Sequence, residues 1–368
     1  MTMRKLLLTA LSVGLLGLST SPAMAAGKVL NIYNWSDYIA PDTVKNFEKE
    51  TGIQVRYDVY DSNEVLQAKI LTGRSGYDIV VPTNAFLAKQ LQAKVYQPID
   101  KTKLPNYKNL DAAVLTQANK FDPGNQYAVP YFYGINTLAI NVKKVKAALG
   151  SEPMPANDWD LLFDSKYSSK LKNCGISVLD SPSEVLPMAL HYLGRDPNSH
   201  TDADWQAAGE LMKKARPSIT RFSSSGYINE LANGSICVAL GYGGDLNIAK
   251  RRAEEAKGGQ EIKVLAPKDG VMMWMDSMVI PKDAQNVDNA HAFINYILRP
   301  EVAAANAKAV TFGSPNAAAR ALIDSKILKD PSIYPTPAIQ AVSFLQLPVE
   351  AKTQRLQTRL WTEIKTRK

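Results

Sequence analysis

From Val29 onward, apolar residues fall alternately into short runs and into helical spacing. Residues 29–34 read as a strand, after which Pro41 opens a helix with Val44 and Phe47 on one face and Gly52 at its end. Residues 55–60 alternate as a second strand; Asp61 and Glu64 stand at capping-box spacing, and Val65, Leu66, Ile70 and Leu71 mark a helix face that stops before Gly73. Residues 78–82 (DIVVP) have the continuous apolar character of a buried parallel strand, with a helix expected over about 85–93. Strands alternating with helices predict an α/β fold of doubly wound, mostly parallel sheets flanked by helices.

The rhythm returns in the second half. Residues 175–179 (GISVL) form an apolar run that ends in Asp180-Ser181-Pro182-Ser183-Glu184, and a helix begins with Val185, Leu186, Ala189 and Leu190. Residues 236–240 (ICVAL) form another, ending in Gly241-Tyr242-Gly243-Gly244-Asp245. Two further apolar stretches, 131–141 and 271–280, are placed to cross between the halves. Two crossings imply two discontinuous lobes around a cleft: an N-lobe of 26–135 plus 272–318 and a C-lobe of 136–271 plus 319–368.

In sheets of this kind, ligands bind outside the carboxyl ends of the strands. The segment Asn34-Trp35-Ser36-Asp37-Tyr38 leaves the first strand there, and Thr83 leaves the third. A carboxylate between two aromatic rings suits an organic cation, because the ring faces attract ammonium and the carboxylate accepts its N–H donors. The plainer alternative makes Trp35 a core residue and Asp37 a helix cap. Glu184 and Asp245 have plain alternatives too, as first-turn acid and helix cap. Alternation places Trp274 and Asp276 on one face of an apolar strand, where an acid is costly unless paired; a cationic ligand would serve.

Composition narrows the setting. Arg4 and Lys5, the apolar run 6–18 and Ala23-Met24-Ala25 make a secretory signal over 1–25 with cleavage near Ala25, and the expected compartment is a bacterial periplasm. No later stretch approaches the length of a membrane span. The formal charge is +8, two of it in the leader, but Lys and Arg are interleaved with Asp and Glu, so a nucleic-acid partner is not expected. The two cysteines, Cys174 and Cys237, are an even count in an exported chain, which favours a disulfide over two buried thiols. Three scattered histidines give neither a metal cluster nor a nucleophilic triad, so no metal, cofactor or enzyme activity is expected. The glycines at 241–244 match neither phosphate-binding spacing. Paired acids could also serve a glycosidase or a calcium site, but interleaved Trp35, Tyr242 and Trp274 oppose an oxygen-only cage.

The motifs NWSDYIAPD (34–42), FEKETG (47–52), YDVYDSNE (57–64), ICVA (236–239), Leu298-Arg299-Pro300 and TRLWT (358–362) resemble the periplasmic polyamine-binding proteins of bacterial ABC importers, closest to the putrescine-binding branch. The resemblance spans nearly the whole mature chain. It implies a two-lobed type II periplasmic-binding fold closing on a linear polyamine. By motif, the ligand contacts it implies are Trp35, Ser36, Asp37, Tyr38, Thr83, Glu184, Tyr242, Asp245, Trp274, Asp276 and Phe312, and it shares the cysteine pair. It further implies membrane permease subunits as partners and a monomeric binder. The chain departs from the pattern at 131–136, 271–275 and 311–315 and by carrying Tyr242 in place of a frequent tryptophan, while all the acids are kept. Two other readings are an ω-amino acid such as 4-aminobutyrate as ligand, and a sensor module presenting occupancy to a membrane receptor.

Overall fold

The computed structural model describes residues 28–366. The signal segment 1–25 and its cleavage near Ala25 lie outside the described residues. Eleven strands form one sheet: β1 Val29–Trp35, β2 Gln54–Tyr60, β3 Ile79–Val80, β4 Tyr96–Gln97, β5 Ala128–Asn141, β6 Ile176–Val178, β7 Arg221–Phe222, β8 Val238–Tyr242, β9 Ile262–Val264, β10 Met272–Pro281 and β11 Phe344–Leu345. The order is β2-β1-β3-β10-β5-β8-β6-β7, with β4 and β11 on β10 and β9 on β5. At one end β1 pairs in parallel with β2 and β3; at the other, β6 pairs in parallel with β7 and β8. The long strands β5 and β10 run antiparallel between the two halves and pair with each other, Trp274 opposite Gly134 and Asp276 opposite Phe132. These are the two expected crossings, and the ladder between them slips once, between Asp276 and Ser277.

Local chemistry explains where the elements stop. The helix Thr43–Thr51 buries Phe47 and ends at Gly52, whose left-handed φ of 69° lets its N–H reach the Glu48 carbonyl. The next helix, Asn63–Leu71, is capped by Ser62, whose hydroxyl accepts from the Val65 N–H, and not by the capping box expected from Asp61 and Glu64. The Glu64 carboxylate is engaged elsewhere. Of the four residues assigned to that helix's inner face, Leu66 and Ile70 are buried while Val65 and Leu71 are exposed. A short helix over the edge of a sheet buries one narrow stripe, and residues 66 and 70 share it one turn apart. The third helix, Asn84–Gln92, starts one residue earlier than expected.

In the second half, Cys174 and Cys237 are joined as a disulfide. They tether the entries to β6 and β8. The helix Pro182–Tyr192 begins right after β6 and is buried from Ser183 through Leu190. The C-terminal helix Ala351–Thr366 packs on it and on the helix Asp202–Ala215, and is pinned where the Trp361 indole N–H and the Lys365 ammonium both donate to Asp180.

Candidate functional site

A cavity lies where the carboxyl ends of β1, β2 and β3 face those of β6 and β8, with β10 between them. Trp35, Ser36, Tyr38, Thr83, Glu184, Tyr242, Asp245, Trp274, Asp276 and Phe312 all line it. Asp37 does not. A left-handed turn at Asp37, φ 53°, directs its carboxylate to the rim, where it accepts from Arg252 at 2.8 Å. It caps no helix; Asp42 precedes the first one.

The walls are aromatic. The rings of Trp35 and Tyr242, Tyr242 and Trp274, Trp274 and Phe312, and Phe312 and Tyr38 succeed one another at centroid separations of 5.9, 6.0, 5.3 and 5.1 Å. Each ring is held by a polar tether or by space cleared for it. The Trp35 indole N–H donates to the Val81 carbonyl at 2.9 Å, and that of Trp274 to the Asn136 carboxamide at 2.7 Å. The Trp274 ring lies over Gly134, where a Cβ would stand 2.7 Å from it, and the Phe312 ring lies over Gly244, where a Cβ would stand 2.5 Å away. Gly241 makes room for Tyr227 in the same manner. Gly241 and Gly244 therefore admit aromatic side chains, consistent with the failure of this loop to match phosphate-binding spacing.

Three buried carboxylates reach this box, each bonded to hydroxyls, and the half-buried Asp61 also lines it. Asp276 accepts from Thr83 at 2.6 Å and from Tyr38 at 2.8 Å; Glu184 accepts from Tyr242 at 2.9 Å; Asp245 accepts from Tyr227 at 2.7 Å. The protein's own partners for Asp276 are thus two hydroxyls, where the sequence reading looked to a cation. Asp245 sits in the first turn of the helix Gly243–Ala256, which Tyr242 precedes, so it is not the cap. Burial is the main reason all three acids are hard to ionise. It pushes Asp276 up to about 7 against the Thr83 and Tyr38 hydrogen bonds. It pushes Asp245 up to about 7, with the Asp37 charge adding to it and Tyr227 and Arg252 opposing. Glu184, buried and facing the Glu64 charge, rises to about 8.

Sequence reasoning missed five lining residues: Tyr60, Asp61, Ser224, Ser225 and Ile228. Tyr60 ends β2 and Asp61 follows it, so the rule that picked out the ends of β1 and β3 applies equally to them. Ser224 and Ser225 follow β7, a two-residue strand too short to leave a pattern. Among the described residues, no Lys or Arg lines the cavity. No group of His, Cys, Asp and Glu suited to a metal ion occurs among the described residues, and none of their helices is long and apolar enough to cross a membrane.

Comparison with known proteins gives the same picture from another direction. The family model described as bacterial extracellular solute-binding protein matches residues 42–336. The putrescine-binding periplasmic protein SpuD of Pseudomonas aeruginosa is 51% identical over 98% of each chain, and the putrescine-binding periplasmic protein PotF of Escherichia coli is 48% identical over 96% of each. A solved spermidine/putrescine ABC transporter structure from Listeria monocytogenes is 33% identical and superimposes with a TM-score of 0.80 over 92% of this chain and 99% of its own. Similarity of this extent, over the same crossed two-lobed sheet, shows that the chain belongs to the bacterial extracellular solute-binding proteins.

Proposed function

We propose that this protein captures a linear polyamine, putrescine or spermidine, by closure of its two lobes and delivers it to the permease of an ABC importer. The observation that carries the reading is the cavity itself: three buried acids inside an aromatic box, with no Lys or Arg among the described residues of its lining. Ring faces stabilise ammonium groups and pack methylenes, while carboxylates supply full charge. Trp35, Tyr242, Trp274 and Phe312 flank the chain of the ligand. Asp276, Asp245 and Glu184 take its ammonium groups, with Ser36, Tyr38 and Thr83 as hydroxyl partners. Asp37 acts from the rim.

The lobes are assigned as 26–135 plus 272–318 and 136–271 plus 319–368, hinged on β5 and β10. In this reading the segment 1–25 is a signal and the mature chain works as a monomer in the periplasm, the compartment that the relatives' names give for them. An ω-amino acid such as 4-aminobutyrate would bring a carboxylate into a box lined by four acids and, among the described residues, by no Lys or Arg to receive it. A role in signalling to a membrane receptor would use the same closed form.

Calorimetry against a panel of diamines, triamines and ω-amino acids tests the reading. Diamines or triamines are expected to bind, and the bound ligand is expected to be recovered unchanged. Tighter binding of an ω-amino acid than of every amine would overturn it.

A further inference from the structure

Glu64 belongs to the helix Asn63–Leu71, on the β1–β3 side, yet its carboxylate serves the other side. Ser183 donates to it at 2.8 Å and Ser181 at 3.2 Å, and the two serine hydroxyls lie 3.2 Å apart. Ser181 is the N-cap residue of the helix Pro182–Tyr192, but its hydroxyl makes no cap bond within that helix. Glu64 supplies from across the cleft the negative group that a helix N-terminus favours. The next residue after Ser183 is Glu184, the acid whose ionisation the Glu64 charge opposes. Glu64 does not line the cavity. The Glu64 charge also acts on Lys89, whose ammonium donates to Gln354 at 3.1 Å.

We propose that Glu64 makes closure conditional on a cation: it fastens the halves through Ser181 and Ser183, and the same movement brings its charge up behind Glu184. With the cleft shut and no ligand bound, Glu184 either faces the Glu64 charge or holds a proton, and burial raises both acids. An ammonium at Glu184 balances them. Opening the cleft separates Glu64 from both serines and from Glu184, so the repulsion acts only on the shut form. Glu64 is in this sense a positioning residue and not a ligand contact. The assignment of the ammonium rests on the polyamine reading; the like-charge closure does not.

The test uses the ligand-free protein, so that it stands apart from ligand identity. Fluorine NMR of 5-fluorotryptophan at Trp35, whose ring meets Tyr242 of the opposite half at 5.9 Å, reports the shut form. Glu64→Gln keeps an oxygen for Ser183 and removes the charge; Glu64→Ala removes both. At about pH 9, where Glu184 with its value of about 8 is ionised, the closed-to-open ratio without ligand is expected to rise at least about fivefold in Glu64→Gln and not in Glu64→Ala. A Glu64→Gln protein no more closed than wild type overturns the charge role. Equal closure in the two variants overturns the fastening role. If wild type fails to bind any polyamine while Glu64→Gln still closes, the closure device stands and the ligand assignment falls.

Discussion

Arg252 reaches across the mouth of the cleft to donate to Asp37 at 2.8 Å, joining the loop after β1 to the helix that carries Asp245. Both side chains remain more than a third exposed, and Arg252 also donates to Asn229 at 2.9 Å. An exposed pair of this kind contributes at most about 1 kcal/mol, or roughly fivefold in affinity, and salt screens it. Arg252→Ala is therefore expected to speed ligand release by no more than that factor at low salt, with the difference fading as salt is raised. Stopped-flow release at two ionic strengths measures it; a loss that persists in high salt would show the pair doing more than holding the rim.

Asp276 presents the opposite balance. It is buried, and its two partners are the hydroxyls of Thr83 and Tyr38. Because its folded value is raised to about 7, the native state holds a proton that the unfolded chain has released, and ligand-free stability falls as pH rises from about 4 through about 7. Asp276→Asn removes the charge and is expected to raise ligand-free stability at pH 8 by about 1 to 3 kcal/mol. The same change leaves a bound ammonium underpaired, at a cost of roughly 2 to 5 kcal/mol in binding. Urea unfolding and calorimetry on one preparation should thus move in opposite directions; a variant weakened in both would mark Asp276 as structural.

The contrast between Asp37 and Asp276 also shows what the sequence could and could not convey. Strand ends were legible because a buried strand is an apolar run with an abrupt polar stop, and that located Trp35, Thr83, Glu184, Tyr242 and Asp245. Alternation correctly put Trp274 and Asp276 on one face. The direction of Asp37 was not legible, because it depends on a left-handed turn at one residue that no periodicity records. Nor was Glu64, whose capping-box spacing gave it a local task while its partners lie more than a hundred residues away. Contacts across the cleft are fixed by how the halves meet, and neighbouring residues carry no trace of that.

Gly244 offers a test of the aromatic box that leaves every polar group in place. A Cβ there would lie 2.5 Å from the Phe312 ring, which is itself wedged between Trp274 and Tyr38. Alanine is ordinarily the better helix former by about 1 kcal/mol. Here the overpacking, about 1 to 3 kcal/mol, should outweigh that gain. Gly244→Ala is expected to lower the thermal midpoint and to weaken polyamine binding; the companion Gly258→Ala, where nothing lies within 4 Å, should do neither.

Binding should also be linked to protons. Glu184 at about 8 and Asp245 and Asp276 at about 7 are partly protonated in the empty protein near neutrality. A bound ammonium favours their charged forms and drives those values down, so complex formation releases protons. Amines with values near 10 stay charged throughout this range, so the ligand contributes no opposing change. Affinity is therefore expected to fall as pH drops from about 8 to about 6, because protons must be removed from the acids before an ammonium can pair with them. The binding enthalpy should shift with the ionisation heat of the buffer in proportion to the protons released. Calorimetry in two buffers at pH 7 reads that number directly, and Asp276→Asn should reduce it. An affinity flat between pH 6 and 8, with no buffer dependence, would mean that the acids are already charged in the empty cleft and that some other group compensates their burial.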